Sequence, residues 1–253
     1  MRKGLTGAGY PASVLSLTMA FGALMAALLL AGCGSKQRPP TPSEEGKAIM
    51  ARIGDVERQK LVAEAFDTKS ADRRRLGILQ LYQEDWGRQE PCLSAYALLA
   101  QDKEPIVRAA AIVAVVESRN PAYIHVLLDA LDRDKEAEYI RVDAAEGLRK
   151  VVAPTAVEPL IRHAKSDPSL DVRLRCIRAL VHYPQKNVLD ALLVCVGDEE
   201  FGIRFTARRT LTSLTGEDAV YDVNLWSQTL SSKSDPFVHP AAAHSGRWSL
   251  WGT

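Results

Sequence analysis

An aliphatic residue followed by arginine recurs at nearly constant spacing: Val107-Arg108, Ile140-Arg141, Val172-Arg173 and Ile203-Arg204 stand 33, 32 and 31 residues apart. A period this short constrains the fold strongly. A unit of about thirty residues cannot cover its own apolar surface, so neighbouring copies have to lean on one another. Three residues after each arginine comes a small side chain (Ala111, Ala144, Cys176, Ala207), and seven after it an aliphatic one (Val115, Leu148, Leu180, Leu211). Those offsets return to one side of an α-helix. Six or seven residues before each arginine is an aspartate, Asp102, Asp134, Asp167 or Asp198, placed to end a loop and cap the helix.

Each unit also carries a second apolar stripe: Leu127, Leu128 and Leu131 correspond to Leu160, Ile161 and Ala164, and to Leu192, Leu193 and Val196. The unit is therefore a helix pair, and Pro121, Pro154 and Pro184 mark the turns between first and second helices. The small residue at arginine-plus-three lets the two helices approach. Arg74, with Gly77 and Leu81, is a degenerate earlier copy. The fold class expected is all-α. Arginines one repeat apart stack on one edge, so Arg108, Arg141, Arg173 and Arg204 are expected as a structural ladder, each pairing with an acid or a helix-end carbonyl of the adjoining unit.

The recurring aspartate, apolar-arginine and alanine positions resemble the HEAT family, in particular the short HEAT-like repeats of phycobilisome lyases. The resemblance covers residues 68–215 and implies an α-solenoid of about four to five HEAT-like hairpins, with second helices lining a concave face. On that implication, the side chains beside the second stripe form the candidate partner-binding face: Tyr123, His125, Asp129, Glu158, Arg162, His163, Lys186 and Asp190. Their mixed charge suits a protein or peptide better than a polyanion.

The array needs covered ends. Residues 44–67, opening Ser43-Glu44-Glu45 and carrying Ile49, Met50, Ile53, Val56, Leu61, Val62 and Phe66, read as an N-terminal capping helix. Residues 216–230 read as a C-terminal cap: Gly216 stops a helix and Trp226 packs back onto the last repeat. Residues 231–253, which include Trp248 and Trp251, read as a disordered tail.

At the other terminus, Arg2 and Lys3 precede an almost wholly apolar stretch from Val14 to Leu30 that closes on Leu30-Ala31-Gly32-Cys33. The order is that of an export signal, and the last four residues resemble the bacterial lipobox. That likeness implies removal of residues 1–32 and lipidation of Cys33. Residues 33–43, polar and proline-rich, would be a flexible tether. An uncleaved membrane-spanning helix is the alternative. Either way residues 34 onward are expected outside the cytoplasm, in the cell envelope. Gly34, where an aspartate would resemble inner-membrane retention, leans toward the outer membrane.

The first 32 residues hold no charge besides Arg2 and Lys3, so 32 basic against 31 acidic side chains become 30 against 31 without them. A balance this even gives no reason to expect nucleic acid as partner. None of the five histidines is followed by glutamate, the pair that would place iron ligands as in deoxyhypusine hydroxylase, and no metal or other cofactor is expected. Cys92, Cys176 and Cys195 are expected as buried small hydrophobes, and no phosphate loop or nucleophile elbow is present. The function expected is non-enzymatic: a membrane-anchored interaction scaffold for an envelope protein or peptide. The alternative, suggested only by what similar repeats do, is a lyase- or oxidoreductase-like protein with a bound metal or chromophore.

Overall fold

A computed structural model describes residues 39–238, and the helical array lies within the unit that begins at Pro40. The signal segment 1–32, Cys33 and the start of the tether lie outside the described residues, as do Trp248 and Trp251.

The N-terminal cap is two helices rather than one. α1 (Glu44–Ala51) starts at Ser43, whose hydroxyl accepts the Gly46 N–H, and α2 (Val56–Ala65) starts at Asp55, whose carboxylate accepts the Arg58 N–H at 2.9 Å. The break between them is sealed by Gln59, which donates to the Met50 and Ile53 carbonyls at 3.2 and 2.6 Å and so takes up acceptors that the end of α1 leaves open. A second capping residue twelve positions downstream outweighs the continuous apolar pattern.

Ten further α-helices follow among the described residues: α3 (Ala71–Leu81), α4 (Cys92–Leu99), α5 (Pro105–Ser118), α6 (Ile124–Asp132), α7 (Glu138–Lys150), α8 (Val157–Ser166), α9 (Leu170–Ala179), α10 (Lys186–Val196), α11 (Phe201–Thr215) and α12 (Val223–Ser231). α3, α5, α7, α9 and α11 carry the arginines and stack as one row; α6, α8, α10 and α12 stack as a second. The chain is an all-α solenoid, with no strand among the described residues. Each second-row helix packs most closely on the first-row helix that follows it, giving the pairs α2/α3, α4/α5, α6/α7, α8/α9 and α10/α11. This shifts the expected frame by one helix. The small residue at arginine-plus-three therefore accommodates the preceding second-row helix. At Gly77 the fit is tightest: a Cβ there would lie 2.4 Å from the backbone nitrogen of Ala65 on α2. Glycine replaces alanine in the first copy because backbone meets backbone.

The core is the repeat written in three dimensions. Val107, Ala111 and Val115, with the matching triplets Ile140/Ala144/Leu148, Val172/Cys176/Leu180 and Ile203/Ala207/Leu211, are all at most 1% exposed. Burying an aliphatic side chain of this kind is worth about 1.5–3 kcal/mol, and here it is repeated along the whole array.

At the C-terminal end Gly216, at φ +72°, stops α11, and the Asp222 carboxylate caps α12. Trp226 is fully buried and its indole N–H donates to the Val220 carbonyl at 3.2 Å. The tail expected from residue 231 stays in contact with the array as far as Val238. Phe237 packs against the core, and the Val238 N–H donates to the Leu214 carbonyl at 2.8 Å, satisfying an acceptor in the last turn of α11.

Candidate functional site

Along the first row, each loop ends in an acid that caps the next helix. Its carboxylate accepts a backbone N–H at the start of the next helix: Asp102 from Glu104, Glu136 from Ala137, Asp167 from Ser169 and Asp198 from Glu200, all at 2.8–2.9 Å. Most of these acids also accept the arginine of the preceding repeat. Arg74 reaches Asp102 at 3.0 Å. Arg108 grips Glu136 with two bonds of 2.8 and 2.6 Å, and Arg141 grips Asp167 with two of 3.1 and 2.9 Å. The same guanidinium groups reach back to their own loop's carbonyls, at Asp67, Asp102 and Glu136 respectively.

Three positions depart from the expected pattern. The acid in the second full copy is Glu136, not Asp134, which is exposed; glutamate's longer side chain reaches Arg108 from a position nearer the helix. Arg173 and Arg204 have no carboxylate rung. Among the described residues Arg204 donates only to the Asp198 and Glu199 carbonyls, at 2.9 and 2.7 Å. The Arg173 Nε is buried without a hydrogen-bond partner. Burial pushes Glu136 and Asp167 toward higher pKa, but the hydrogen bonds from Arg108, Arg141 and the backbone outweigh it and hold both below the ordinary carboxylate values.

The second-row residues singled out from the sequence are brought onto successive helices, and half of them are engaged within the molecule. Tyr123 donates to Glu90 and lies 3.1 Å from the Ser94 hydroxyl. His163 sits between two acids, Nε2 at 2.7 Å from Asp132 and Nδ1 at 2.9 Å from Asp167, while Arg162 joins Asp132 at 2.5 Å. Glu158 accepts from Asn187 at 2.8 Å. His125, whose Nδ1 lies 3.1 Å from the Ala122 carbonyl, is exposed, as are Asp129, Lys186 and Asp190.

A cleft absent from the sequence reading opens across α7, α9 and α11. It has a volume of about 720 Å³ and is lined by Arg149, Arg175, Arg178 and Arg209, with Glu146 the one acid in the lining. Glu146 accepts Arg149 at 2.6 Å and Arg175 at 3.3 Å. Val181 and Phe205 form apolar wall, and His182 completes it; burial first, and then the charge of Arg149, press the His182 pKa down. One signal in the sequence points here: α5 carries a single arginine, whereas α9 and α11 carry three each.

The three cysteines are free and buried. Burial raises the Cys92 and Cys195 thiols to about 11 and drives Cys176 higher still. Among the described residues no group of three acidic, histidine or cysteine side chains is placed to hold a metal ion, and no helix is long and apolar enough to cross a membrane.

The chain matches the family profile for HEAT repeats over residues 93–180 and again over 157–245, together more than half its length. No curated protein matches it.

Proposed function

The chain belongs to the HEAT-repeat family, and from that premise we propose that it is a bacterial lipoprotein, held to an envelope membrane through Cys33, that presents its helical array to a protein partner. The observation that carries the reading is the array itself. Two rows of helices, coupled repeat to repeat by buried Arg108–Glu136 and Arg141–Asp167 pairs, make a stiff surface several repeats long whose side chains keep fixed spacing. Such a surface suits recognition of an extended partner. The tether from Cys33 to Ser43 would set the array off from the bilayer, and lipid rather than a spanning helix would hold it there, as Leu30-Ala31-Gly32-Cys33 suggests.

Metabolic labelling with an alkyne-bearing palmitate in a bacterial host tests the anchor. Wild type should take up label and sediment with membranes, and Cys33→Ala should do neither; an unlabelled wild-type chain would remove the lipid. Cross-linking in intact cells followed by mass spectrometry tests the partner. A discrete protein adduct is expected, and its absence from every exposed site tried would leave the scaffold reading without support.

A further inference from the structure

The first turns of four consecutive first-row helices each expose one large apolar side chain: Ile106 on α5, Tyr139 on α7, Leu170 on α9 and Phe201 on α11, at 40%, 48%, 39% and 60% exposure. Single exposed apolar residues are ordinary on a protein surface. One per repeat, at the same end of neighbouring helices about 10 Å apart, makes a row. The ladder stiffens this edge, because Arg108, Arg141 and Arg204 donate to carbonyls of the loops from which these first turns grow. Outside the ladder the edge is acidic. Asp134, Glu138, Asp171, Glu199 and Glu200 are exposed in these loops and first turns, against the exposed bases Lys103 and Lys135, and no ion pair among the described residues takes up any of the five acids.

We infer that this edge binds an extended, proline-containing basic segment of a protein partner, with an apolar side chain at every third residue seated on Ile106, Tyr139, Leu170 and Phe201, and lysines or arginines between them meeting the exposed acids. The protein's own chain shows the mode of contact one repeat earlier. Thr41-Pro42-Ser43 runs antiparallel to the loop before α3. There the Thr41 N–H donates to the Asp67 carboxylate at 3.0 Å, the Thr68 N–H to the Thr41 carbonyl at 2.8 Å, and the Ser43 N–H to the Phe66 carbonyl at 3.0 Å. Asp67 caps α3 through the Lys69 and Ser70 N–H groups, as Asp102 and Asp198 cap α5 and α11, so this edge of the first row already takes extended chain. Spacing selects the conformation. A polyproline II segment returns to one face every three residues, about 9 Å, in step with helices about 10 Å apart, whereas a β-strand returns every two residues, about 7 Å, and falls out of step. Charge selects the partner: five exposed acids attract a basic segment and are repelled by an anionic bilayer surface.

The inference rests on the scaffold reading, and a peptide probe tests it without the natural partner. A fluorescein-labelled dodecapeptide of four Leu-Pro-Lys repeats is titrated with the full-length chain in nonionic detergent micelles and followed by fluorescence anisotropy. Wild type should bind it saturably, and more weakly as salt rises. Ile106→Ser with Tyr139→Ser should raise Kd about tenfold, and Asp134→Asn with Glu199→Asn about threefold. All four positions are exposed, and circular dichroism reads the helicity of both variants, so a folding defect in one would not hide the effect in the other. Asp190→Lys, on α10 of the second row, should leave Kd unchanged. An unchanged Kd in both edge variants would overturn the inference. So would equal binding of a Leu-Pro-Glu dodecapeptide, or of a peptide of the same composition with its leucines contiguous. In vesicles, an environment-sensitive dye on Tyr139→Cys should report water; a shift to an apolar environment would give the edge to lipid and overturn the inference too. A partner that cross-links in cells equally well to wild type and to the edge variants would keep the scaffold and discard the edge.

Discussion

Replacing Arg108 and Arg204 in turn by methionine separates the two halves of the ladder's chemistry. Both arginines donate to two carbonyls of the loop before their helix, Arg108 at 2.8 and 3.1 Å and Arg204 at 2.9 and 2.7 Å. Only Arg108 also neutralises a carboxylate, and the Glu136 side chain is 1% exposed. Losing the carbonyl bonds costs each variant about 1 kcal/mol net, since water replaces part of what is lost. In the Arg108 variant, Glu136 is left buried with the Ala137 N–H at 2.9 Å and Arg133 at 3.6 Å. Breaking a buried pair by removing one partner costs about 3–5 kcal/mol, and Arg133's residual attraction places this case at the lower end. Arg108→Met should therefore lose about 2–3 kcal/mol more than Arg204→Met. Urea unfolding followed at 222 nm measures the difference from the shift in midpoint at a shared slope. Equal losses, or an Arg108 variant within about 0.5 kcal/mol of wild type, would refute the idea that interlocked acids hold the repeats together.

Gly77→Ala should cost about 2–3 kcal/mol, because its methyl meets the Ala65 backbone and neither helix can yield; Gly202→Ala, whose nearest neighbour is Leu174 at 3.8 Å, should stay within about 0.5 kcal/mol of wild type in the same urea assay. Glu136 and Asp167 titrate in the folded chain below their ordinary values of 4.5 and 3.8. The stability they contribute is thus complete above those values, begins to be lost as pH falls below them and is gone once pH has passed the lower folded-state values, so the urea midpoint should hold to about pH 5 and drop steeply below about pH 4; a midpoint unchanged at pH 3 would contradict it. In a Cys33→Ala chain a disulfide reagent should titrate no thiol until urea unfolds the protein and then three, because Cys92, Cys176 and Cys195 are buried and their thiolates disfavoured.

What the sequence made legible was what repeats. The aliphatic, small and aliphatic positions around Arg108, Arg141, Arg173 and Arg204 need only helical periodicity to be recognised, and every one of them is in the core. Features depending on which helix neighbours which were harder to see. The close packing of α2 on α3 leaves only Gly77 as its trace. Glu136 takes the place expected of Asp134 because reach, not spacing, decides which acid meets Arg108. The cleft arginines were harder still: Arg149, Arg178 and Arg209 look like ordinary solvated charges on three separate helices, and come to line one cleft only once α7, α9 and α11 stack. The second-row face was easier to nominate from sequence than to sustain as open surface, since Tyr123, Glu158, Arg162 and His163 are occupied by neighbours within the chain.

The stacking of first-row helices underlies both the ladder and the cleft, and inter-label distances test it most directly. Asp72, Ile106, Tyr139 and Asp171 are exposed and each stands two residues before a first-row arginine. Spin labels on Asp72 paired in turn with Ile106, Tyr139 and Asp171 should give distances that lengthen at each step, by about 10 Å per repeat. A distance to Asp171 no longer than the distance to Ile106 would mean that the repeats do not form a row.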